Sequence, residues 1–243
     1  MKLAVIADVH GNFEALCAVL DDISKRRPEI IVNLGDHVSG PLQPRETADL
    51  LSLSGYPTIR GNHDRQVLSI DRERMGPSDR FAADLLDETH RKWLVSLPPT
   101  AWLTDEVFLC HGTPSNDCEY FLEQVTESGS HPAESSEALT RAGDVRASLI
   151  LCGHTHIPRS ERLADGRLIV NPGSVGLQAY EDQLPFPHKM EIGTPHARYA
   201  FLELRNSWEI EFIQVRYDWE RAAELAASRG CEDWARALRT GKV

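Results

Sequence analysis

The chain has 243 residues and a formal net charge of −11 at pH 7, from 37 acidic and 26 basic residues. Hydrophobic residues make up 41% and charged residues 26%, as in an ordinary globular protein, so wholesale disorder is excluded. No apolar stretch approaches the roughly 20 residues needed to span a bilayer, so no membrane association is expected. The acidic balance disfavours nucleic acid as a partner, because nucleic-acid phosphates would be repelled.

The N-terminus and the cysteines point to a cytoplasmic protein. The first apolar stretch breaks at Asp8, too early for a signal peptide. The five cysteines are odd in number and lack CxxC spacing, which favours reduced thiols over a disulfide framework or a zinc ribbon. Nothing in the sequence indicates an oligomeric state.

Strand and helix patterns alternate in the first quarter of the chain. Short apolar runs predict strands, and apolar residues at helical spacing predict the helices between them. The predicted elements are strand 3–7, helix 13–23, strand 29–34, helix 46–52 and strand 57–60. This order indicates βαβ units with a parallel sheet.

The remaining elements are predicted from the same patterns. A helical stretch covers 79–93, and the later strands are 107–110, 149–152, 167–170, 197–204 and 208–216, the last two forming a hairpin. A polar surface loop is expected at 127–136, a long lid-like loop at 178–196 and an amphipathic helical tail at 218–243. No boundary divides the chain, so we expect a single domain over 1–243.

Polar motifs follow five of the strand-like runs. They are Asp8-Val9-His10, Gly35-Asp36, Gly61-Asn62-His63-Asp64, His111-Gly112 and Gly153-His154-Thr155-His156. Ligands of open α/β sheets bind outside the carboxyl ends of the strands. If these strands are neighbours, their side chains meet in one crevice.

The residue types in this crevice indicate a pair of metal ions. The seven candidate ligands are Asp8, His10, Asp36, Asn62, His111, His154 and His156. Imidazole with carboxylate suits Mn, Fe, Zn, Co or Ni, whereas Mg and Ca prefer oxygen ligands throughout. Seven ligands exceed the needs of one ion, so two ions about 3.5–4 Å apart are expected. Asp36 is the natural bridge, since each carboxylate oxygen can face a different ion.

The five motifs together resemble the calcineurin-like metallophosphoesterase superfamily over residues 8–176. Within that span, residues 35–41 and 171–176 are similar to the small bacterial phosphodiesterases of the diadenosine-tetraphosphatase-related branch. The resemblance implies an α/β fold, a four-layer sandwich of two mixed β-sheets flanked by helices.

The resemblance also implies a role for each motif residue. Asp8, His10 and His156 would hold the first metal; Asn62, His111 and His154 would hold the second; Asp36 would bridge them. His63 would stabilise the transition state or protonate the leaving oxygen, and Asp64 would orient it. The implied cofactor is two divalent transition-metal ions, with Mn as first choice and Fe, Zn, Co or Ni as alternatives.

The expected activity is a phosphodiesterase acting on a small nucleotide or related anionic phosphate ester through metal-activated water. Protein phosphatases of the superfamily have an arginine shortly after the GD motif and Glu after GNH. Here those places hold Ser39-Gly40-Pro41 and Asp64, so protein phosphatase activity fits less well. Three alternatives stay open: a phosphomonoesterase, a diadenosine polyphosphate hydrolase and a metal-stabilised interaction scaffold.

Several other polar residues have two readings. Arg65 is either a bidentate phosphate clamp or a surface arginine at a helix start. His37 adjoins Asp36 but fits no ligand position, which favours a supporting or surface residue. We expect the histidines without partners in the sequence to be exposed: His90, His131, His188 and His196.

Overall fold

The computed structural model describes all 243 residues, in thirteen strands and eight α-helices. The strands are β1 (Lys2–Ile6), β2 (Ile30–Asn33), β3 (Ala101–Thr104), β4 (Val107–Leu109), β5 (Glu123–Thr126), β6 (Gly129–Pro132), β7 (Leu149–Leu151), β8 (Arg159–Arg162), β9 (Leu168–Asn171), β10 (Ala179–Asp182), β11 (His188–Glu191), β12 (Ala197–Leu204) and β13 (Trp208–Val215). The helices are α1 (Phe13–Arg26), α2 (Pro44–Ser54), α3 (Asn62–Ser69), α4 (Pro77–Leu85), α5 (Glu88–Ser96), α6 (Ser135–Ala142), α7 (Trp219–Ser228) and α8 (Glu232–Thr240).

Two mixed sheets form the centre of the molecule. The first has the strand order β13-β12-β1-β2, in which only β1 and β2 are parallel. The second has the order β3-β4-β7-β9-β8, with a parallel centre of β4, β7 and β9 and an antiparallel strand at each edge. Strands β5 and β6, and strands β10 and β11, form two separate hairpins.

The two sheets pack face to face because side chains alternate along each strand. Leu3 and Val5 of β1 lie in one fully buried cluster with Leu149 and Leu151 of β7. Ala4 and Ile6, the alternate residues of β1, instead pack against α1 and α7 in a second cluster. The inner faces of the two sheets therefore form the central core of a sandwich.

Helices cover both outer faces. Helix α1 and the C-terminal helices α7 and α8 pack on the first sheet, through residues such as Leu16, Ala223 and Leu238. On the second sheet, Ile150 packs against Ala138 of α6. The predicted four-layer α/β sandwich is confirmed. No helix is both long enough and apolar enough to cross a lipid bilayer.

Four element predictions are wrong in detail. The predicted loop 178–196 contains the hairpin β10–β11, and the predicted loop 127–136 contains strand β6 of another hairpin. The helical stretch 79–93 is two helices, because Asp87 caps the N-terminus of α5 and interrupts the run. Instead of a strand at 57–60 there is a single bridge between Thr58 and Asn33.

Candidate metal centre

The candidate ligands lie at one end of the sandwich, where strands of both sheets finish. Asp8 and Asp36 follow β1 and β2 of the first sheet, while His111 and His154 follow β4 and β7 of the second. Asn62 is the first residue of α3. The packing of two sheets, rather than the order of strands in one, brings these motifs together.

The first ligand group comprises Asp8, His10 and His156, whose ligand atoms all lie within 4.8 Å of one another. Nε2 of His10 is 3.0 Å from Nε2 of His156, which is 3.7 Å from Oδ1 of Asp8. Nδ1 of His10 donates to the carbonyl of Ser39 at 2.8 Å, so its Nε2 presents a lone pair. Burial lowers the pKa of His10 to about 4 and that of His156 well below its usual value. Both rings are therefore neutral, as metal ligation requires.

The second group comprises Asp36, His111 and His154. Nε2 of His111 lies 3.1 Å from Oδ2 of Asp36 and 3.0 Å from Oδ1 of Asn62. Nδ1 of His111 donates to the carbonyl of Leu34 at 2.7 Å, which directs Nε2 into the site. The structure thus brings Asn62 to the group in which it was predicted.

His154 presents the opposite nitrogen. Its Nε2 is 3.1 Å from the carbonyl oxygen of Cys118 and donates to it, so Nδ1 carries the lone pair. The backbone N–H of His154 donates to both carboxylate oxygens of Asp8, at 3.2 and 3.1 Å. The contact with Cys118 fixes the tautomer of the ring, and the contacts with Asp8 hold the backbone of His154 beside the first ligand group.

Asp36 faces both ligand groups with one carboxylate oxygen, Oδ2. Its Oδ2 is 3.1 Å from Nε2 of His111 and 4.0 Å from Nε2 of His10. Its Oδ1 accepts the backbone N–H of His63 at 2.9 Å. The expectation that each oxygen faces a different ion is wrong, because Oδ1 is held by the backbone and Oδ2 alone faces both groups.

An unusual backbone conformation directs these side chains. Six non-glycine residues have positive φ, and five of them are candidate ligands: Asp8, His10, Asp36, His154 and His156, with φ between 50° and 72°. Each such residue costs on the order of 1–3 kcal/mol, and such strain concentrates at functional sites. Gly61 completes the turn geometry, since a Cβ there would lie 2.1 Å from Oδ1 of Asp36.

The charged groups of the centre are strongly coupled. Burial raises the pKa of Asp8 to about 8. For Asp36, burial is outweighed by the neighbouring histidines, chiefly His111, so its pKa falls well below its usual value. Burial likewise opposes protonation of His111, but Asp36 and Asp8 raise its pKa to about 10. Buried carboxylates in such a cluster need compensating positive charge, and a divalent cation supplies it, so the donor set fits metal ions.

The carboxylate that orients His63 is Asp79, not Asp64. Nδ1 of His63 lies 2.8 Å from Oδ1 of Asp79, which is in the first turn of α4. Asp64 instead accepts Nδ1 of His37 at 2.6 Å and the backbone N–H groups of Asp36, His37 and Gly61. The prediction of Asp64 as the orienting residue is wrong, because its carboxylate faces the turn after β2.

Arg65 forms a bidentate ion pair with another part of the protein. Its Nε and Nη2 bind the two carboxylate oxygens of Asp117 at 2.7 and 2.8 Å. This bidentate pair joins α3 to the loop whose Cys118 carbonyl holds His154. Neither reading of Arg65 from the sequence included this pairing.

Of the remaining histidines, His37 agrees with the expectation of a supporting residue, whereas His90, His188 and His196 are less exposed than expected. His37 is fully buried as a supporting residue of Asp64. His90 and His188 are buried rather than exposed: His90 bonds Asp49, and His188 bonds the hydroxyl of Tyr120 at 2.9 Å. His131 is exposed as expected, and His196 is half-buried.

One cavity of about 1150 Å³ opens onto both ligand groups. Its lining includes His10, Asp36, Asn62, His63, His154 and His156, then continues along β10–β11 and α8. No pattern in the sequence indicates a functional role for Asp79 or for the cavity wall at Tyr180 and Trp234. Asp79 looks like an ordinary acidic residue in the first turn of a helix, and the wall residues lie far along the chain.

Comparison with known proteins agrees with this geometry. The family description "Calcineurin-like phosphoesterase superfamily domain" matches residues 1–186. The chain therefore belongs to this superfamily, and it is a hydrolase acting on phosphate ester bonds.

Individual relatives share the whole length of the chain. An uncharacterized protein from Methanocaldococcus jannaschii is 28% identical over 96% of this chain and 94% of its own. A metallophosphoesterase from Sphaerobacter thermophilus has a TM-score of 0.75 at 26% identity, covering 98% of both chains. A hypothetical protein from Pyrococcus horikoshii OT3 has a TM-score of 0.77 at 21% identity, over 99% of this chain and 98% of that one. A putative diadenosine tetraphosphatase shares the fold at 17% identity and a TM-score of 0.53, over 88% and 93% of the two chains.

Proposed function

We propose that the protein is a di-metal phosphodiesterase that hydrolyses a small nucleotide or a related small phosphodiester. The observation that carries this proposal is the juxtaposition of two metal-ligand groups with His63 on the wall of one large cavity. Phosphoryl hydrolysis needs little covalent participation from the protein, so positioning and electrostatic stabilisation account for most of the catalysis.

The geometry of the two groups supports an assignment of ligands to the two ions. Asp8, His10 and His156 would hold one ion; Asn62, His111 and His154 would hold the other; Oδ2 of Asp36 lies between them. Mn is our first choice for both, with Fe, Zn, Co and Ni compatible with the same donors. Such ions supply Lewis acidity toward phosphate oxygens and lower the pKa of a coordinated water to near neutral.

His63 supplies the proton for the leaving oxygen. Burial opposes its protonation, but Asp36 and Asp79 raise the pKa of His63 to about 9, so the ring carries a proton at neutral pH. Asp79 holds Nδ1, which leaves the Nε2 proton for the cavity. A charged ring beside the site also stabilises negative charge that develops on the leaving group.

The charges around the groups favour a diester over a monoester. A monoester brings two negative charges to the site, and a diester brings one. Apart from burial, which is the largest cause for both, the side chains that shift the pKa of Asp8 and Asp36 are histidines, together with Asp36 acting on Asp8, and no lysine or arginine is among them. Arg65, which directly follows the Gly61-Asn62-His63-Asp64 motif, is paired with Asp117. The cavity also has room for two ester substituents on one phosphorus.

Matched chromogenic substrates test this proposal. Protein reconstituted with Mn should hydrolyse bis-p-nitrophenyl phosphate with a higher kcat/KM than p-nitrophenyl phosphate. Asp36→Asn should abolish both activities, whereas Asp144→Asn, at an exposed position after α6, should change neither. Absence of diester hydrolysis with each of Mn, Fe, Co, Ni and Zn would overturn the proposal, and a monoester preference would assign a phosphomonoesterase.

A further inference from the structure

The wall of the cavity beyond the ligand groups is aromatic. The ring of Trp234 on α8 lies 6.1 Å from the ring of His10, and that of Tyr180 on β10 lies 4.8 Å from the ring of His156. Tyr120 lies beside His154, with 5.0 Å between ring centroids. All three aromatic residues line the cavity. Trp234 lies outside residues 1–186, which the family description matches.

The aromatic rings are held in place before any ligand arrives. A Cβ on Gly40 would lie 2.8 Å from the indole of Trp234, so the glycine makes room for the ring beside His10. On the opposite side, the hydroxyl of Tyr180 donates to the hydroxyl of Tyr120 at 3.1 Å and lies 3.2 Å from the carbonyl of His154. Fixed rings lose little conformational freedom when they bind a planar group.

An apolar cluster connects α8 to β10 behind these rings. Leu177, Ala179 and Ala237 are buried there, with Trp234 and Tyr180 packed against them. The segment after α8 is tied to the end of β11, since the carbonyl of Gly241 accepts the backbone N–H groups of residues 192 and 193. The hairpin and the C-terminal helix therefore form one continuous wall.

The charge of the same cavity disfavours a second phosphate. Carboxylates outside the ligand groups outnumber cations in its lining: Glu119, Glu123, Glu181, Asp182 and Asp233 against Arg141, Lys189 and Arg236. Arg141 donates to the carbonyls of Phe121 and Glu123, and Lys189 donates to the C-terminal residue Val243. Glu123 is paired with Arg159, which leaves four carboxylates beside three cations in this part of the lining, so a polyphosphate arm would meet more negative than positive side chains there.

We propose that the wall formed by Trp234, Tyr120 and Tyr180 binds an uncharged aromatic group of the substrate. The substrate class is then a nucleoside phosphodiester with a single phosphate, rather than a dinucleoside polyphosphate. The substrate class in this inference rests on the phosphodiesterase function proposed above. The binding of the aromatic group is a separate property that needs no turnover.

Binding of two phosphate monoesters tests the aromatic wall. Adenosine 5′-phosphate and methyl phosphate carry the same reacting group and differ in the nucleoside. Isothermal titration calorimetry of the protein in the presence of Mn should give a Kd on the order of tenfold lower for adenosine 5′-phosphate, the scale of stacking one base on aromatic residues. Trp234→Ala should remove most of this preference, and Trp234→Phe should restore part of it.

Trp102→Ala is the matched control, because Trp102 is an exposed tryptophan on the edge strand β3. The preference for adenosine 5′-phosphate should be unchanged in this variant. Equal Kd values for the two ligands in wild-type protein, or an unchanged preference in Trp234→Ala, would overturn the aromatic wall. Since the measured quantity is binding and not product formation, these results do not depend on the phosphodiesterase proposal.

A second substrate pair tests the charge argument. Diadenosine 5′,5′-monophosphate and diadenosine tetraphosphate have the same two nucleosides and the same 5′ linkages, and they differ in the number of phosphates. The monophosphate-linked compound should have the higher kcat/KM by at least about tenfold. A preference for the tetraphosphate would overturn the inferred substrate class while leaving the hydrolase itself established. Hydrolysis of neither compound would also overturn this class, and bis-p-nitrophenyl phosphate would then show whether the phosphodiesterase proposal fails with it.

Discussion

His63 and its two aspartate neighbours show how contacts, rather than sequence distance, assign roles. Asp64 is the next residue in the chain, yet its four hydrogen bonds go to His37 and to the backbone around Asp36 and Gly61. Asp79 is sixteen residues away and binds the ring of His63 directly. We therefore propose that His63 transfers the proton and that Asp79 orients it, while Asp64 supports the turn at Asp36.

Substitutions at His63 and Asp79 separate proton transfer from metal binding. His63→Ala should lower kcat for bis-p-nitrophenyl phosphate by roughly 10²–10⁴-fold, the range for general acid–base catalysis. Asp79→Asn should lower it less, because the ring remains but loses its charged partner. Elemental analysis should find the metal content of both variants unchanged. Loss of bound metal in His63→Ala would assign this residue as a ligand instead.

Metal binding should release protons at neutral pH. Without metal, Asp36 and Asp8 overcome burial and raise the pKa of His111 to about 10, and burial raises the pKa of Asp8 to about 8. Both groups must lose their protons to bind a cation, so affinity should rise with pH between about 6 and 8. Calorimetry in buffers of different ionisation enthalpy measures the released protons. Affinity that is independent of pH would contradict this protonation scheme.

At the scale of elements, the turns after the strands carry the site. The strands are short and apolar and serve to position these turns, in which five candidate ligands have positive φ. Such a backbone is stable only where its surroundings hold it in place. Asp64 provides part of that restraint, since its carboxylate joins the N-terminal turn of α3 to the backbone of Asp36 and His37.

Asp64→Asn should destabilise the fold in a pH-dependent way. Burial opposes ionisation, but His37 and the backbone N–H groups hold the pKa of Asp64 below its usual 3.8. A depressed pKa contributes stability that is complete above the unfolded-state pKa and is lost as the pH falls through the folded-state pKa. The variant should lose about 3–5 kcal/mol at pH 7, as expected when one partner of a buried pair is removed.

Thermal unfolding at several pH values measures this effect. The difference in Tm between wild type and Asp64→Asn should be large at pH 7 and should shrink below about pH 3.8. Asp105→Asn, at an exposed turn between β3 and β4, is the matched control and should leave Tm unchanged. A Tm difference that stays constant from pH 7 to pH 3 would contradict the role of the ionised carboxylate.

Predictability from the sequence differed between kinds of element. Strands such as β1, β4 and β7 were predictable because burial on both faces makes them continuous apolar runs. The hairpin β10–β11 was not predictable from the sequence. Only two of its eight residues, Ala179 and Met190, are buried and apolar, so the hydrophobic pattern of a strand is weak there. The place of this hairpin in the cavity wall depends on contacts with α8, which lies some fifty residues later in the chain. Asp79 was missed for the same reason, as its partner His63 lies on another helix.

At the scale of the whole molecule, the sandwich explains why motifs spread from residue 8 to residue 156 form one centre. Each sheet contributes ligands to both groups, so neither sheet alone completes either one: Asp8 and His10 meet His156, and Asp36 meets His111. Helix α8 then encloses the cavity beside the turn that holds His10. The order of motifs predicted the convergence, whereas the enclosing wall depends on packing between distant parts of the chain.

The most direct test of the account is anomalous X-ray diffraction from crystals grown with Mn. Data collected at the manganese absorption edge should show two peaks per chain about 3.5–4 Å apart. One should lie among Asp8, His10 and His156, the other among Asn62, His111 and His154, with Oδ2 of Asp36 contacting both. A single peak, or two peaks away from these side chains at full metal loading, would contradict the two-ion centre on which the proposed function depends.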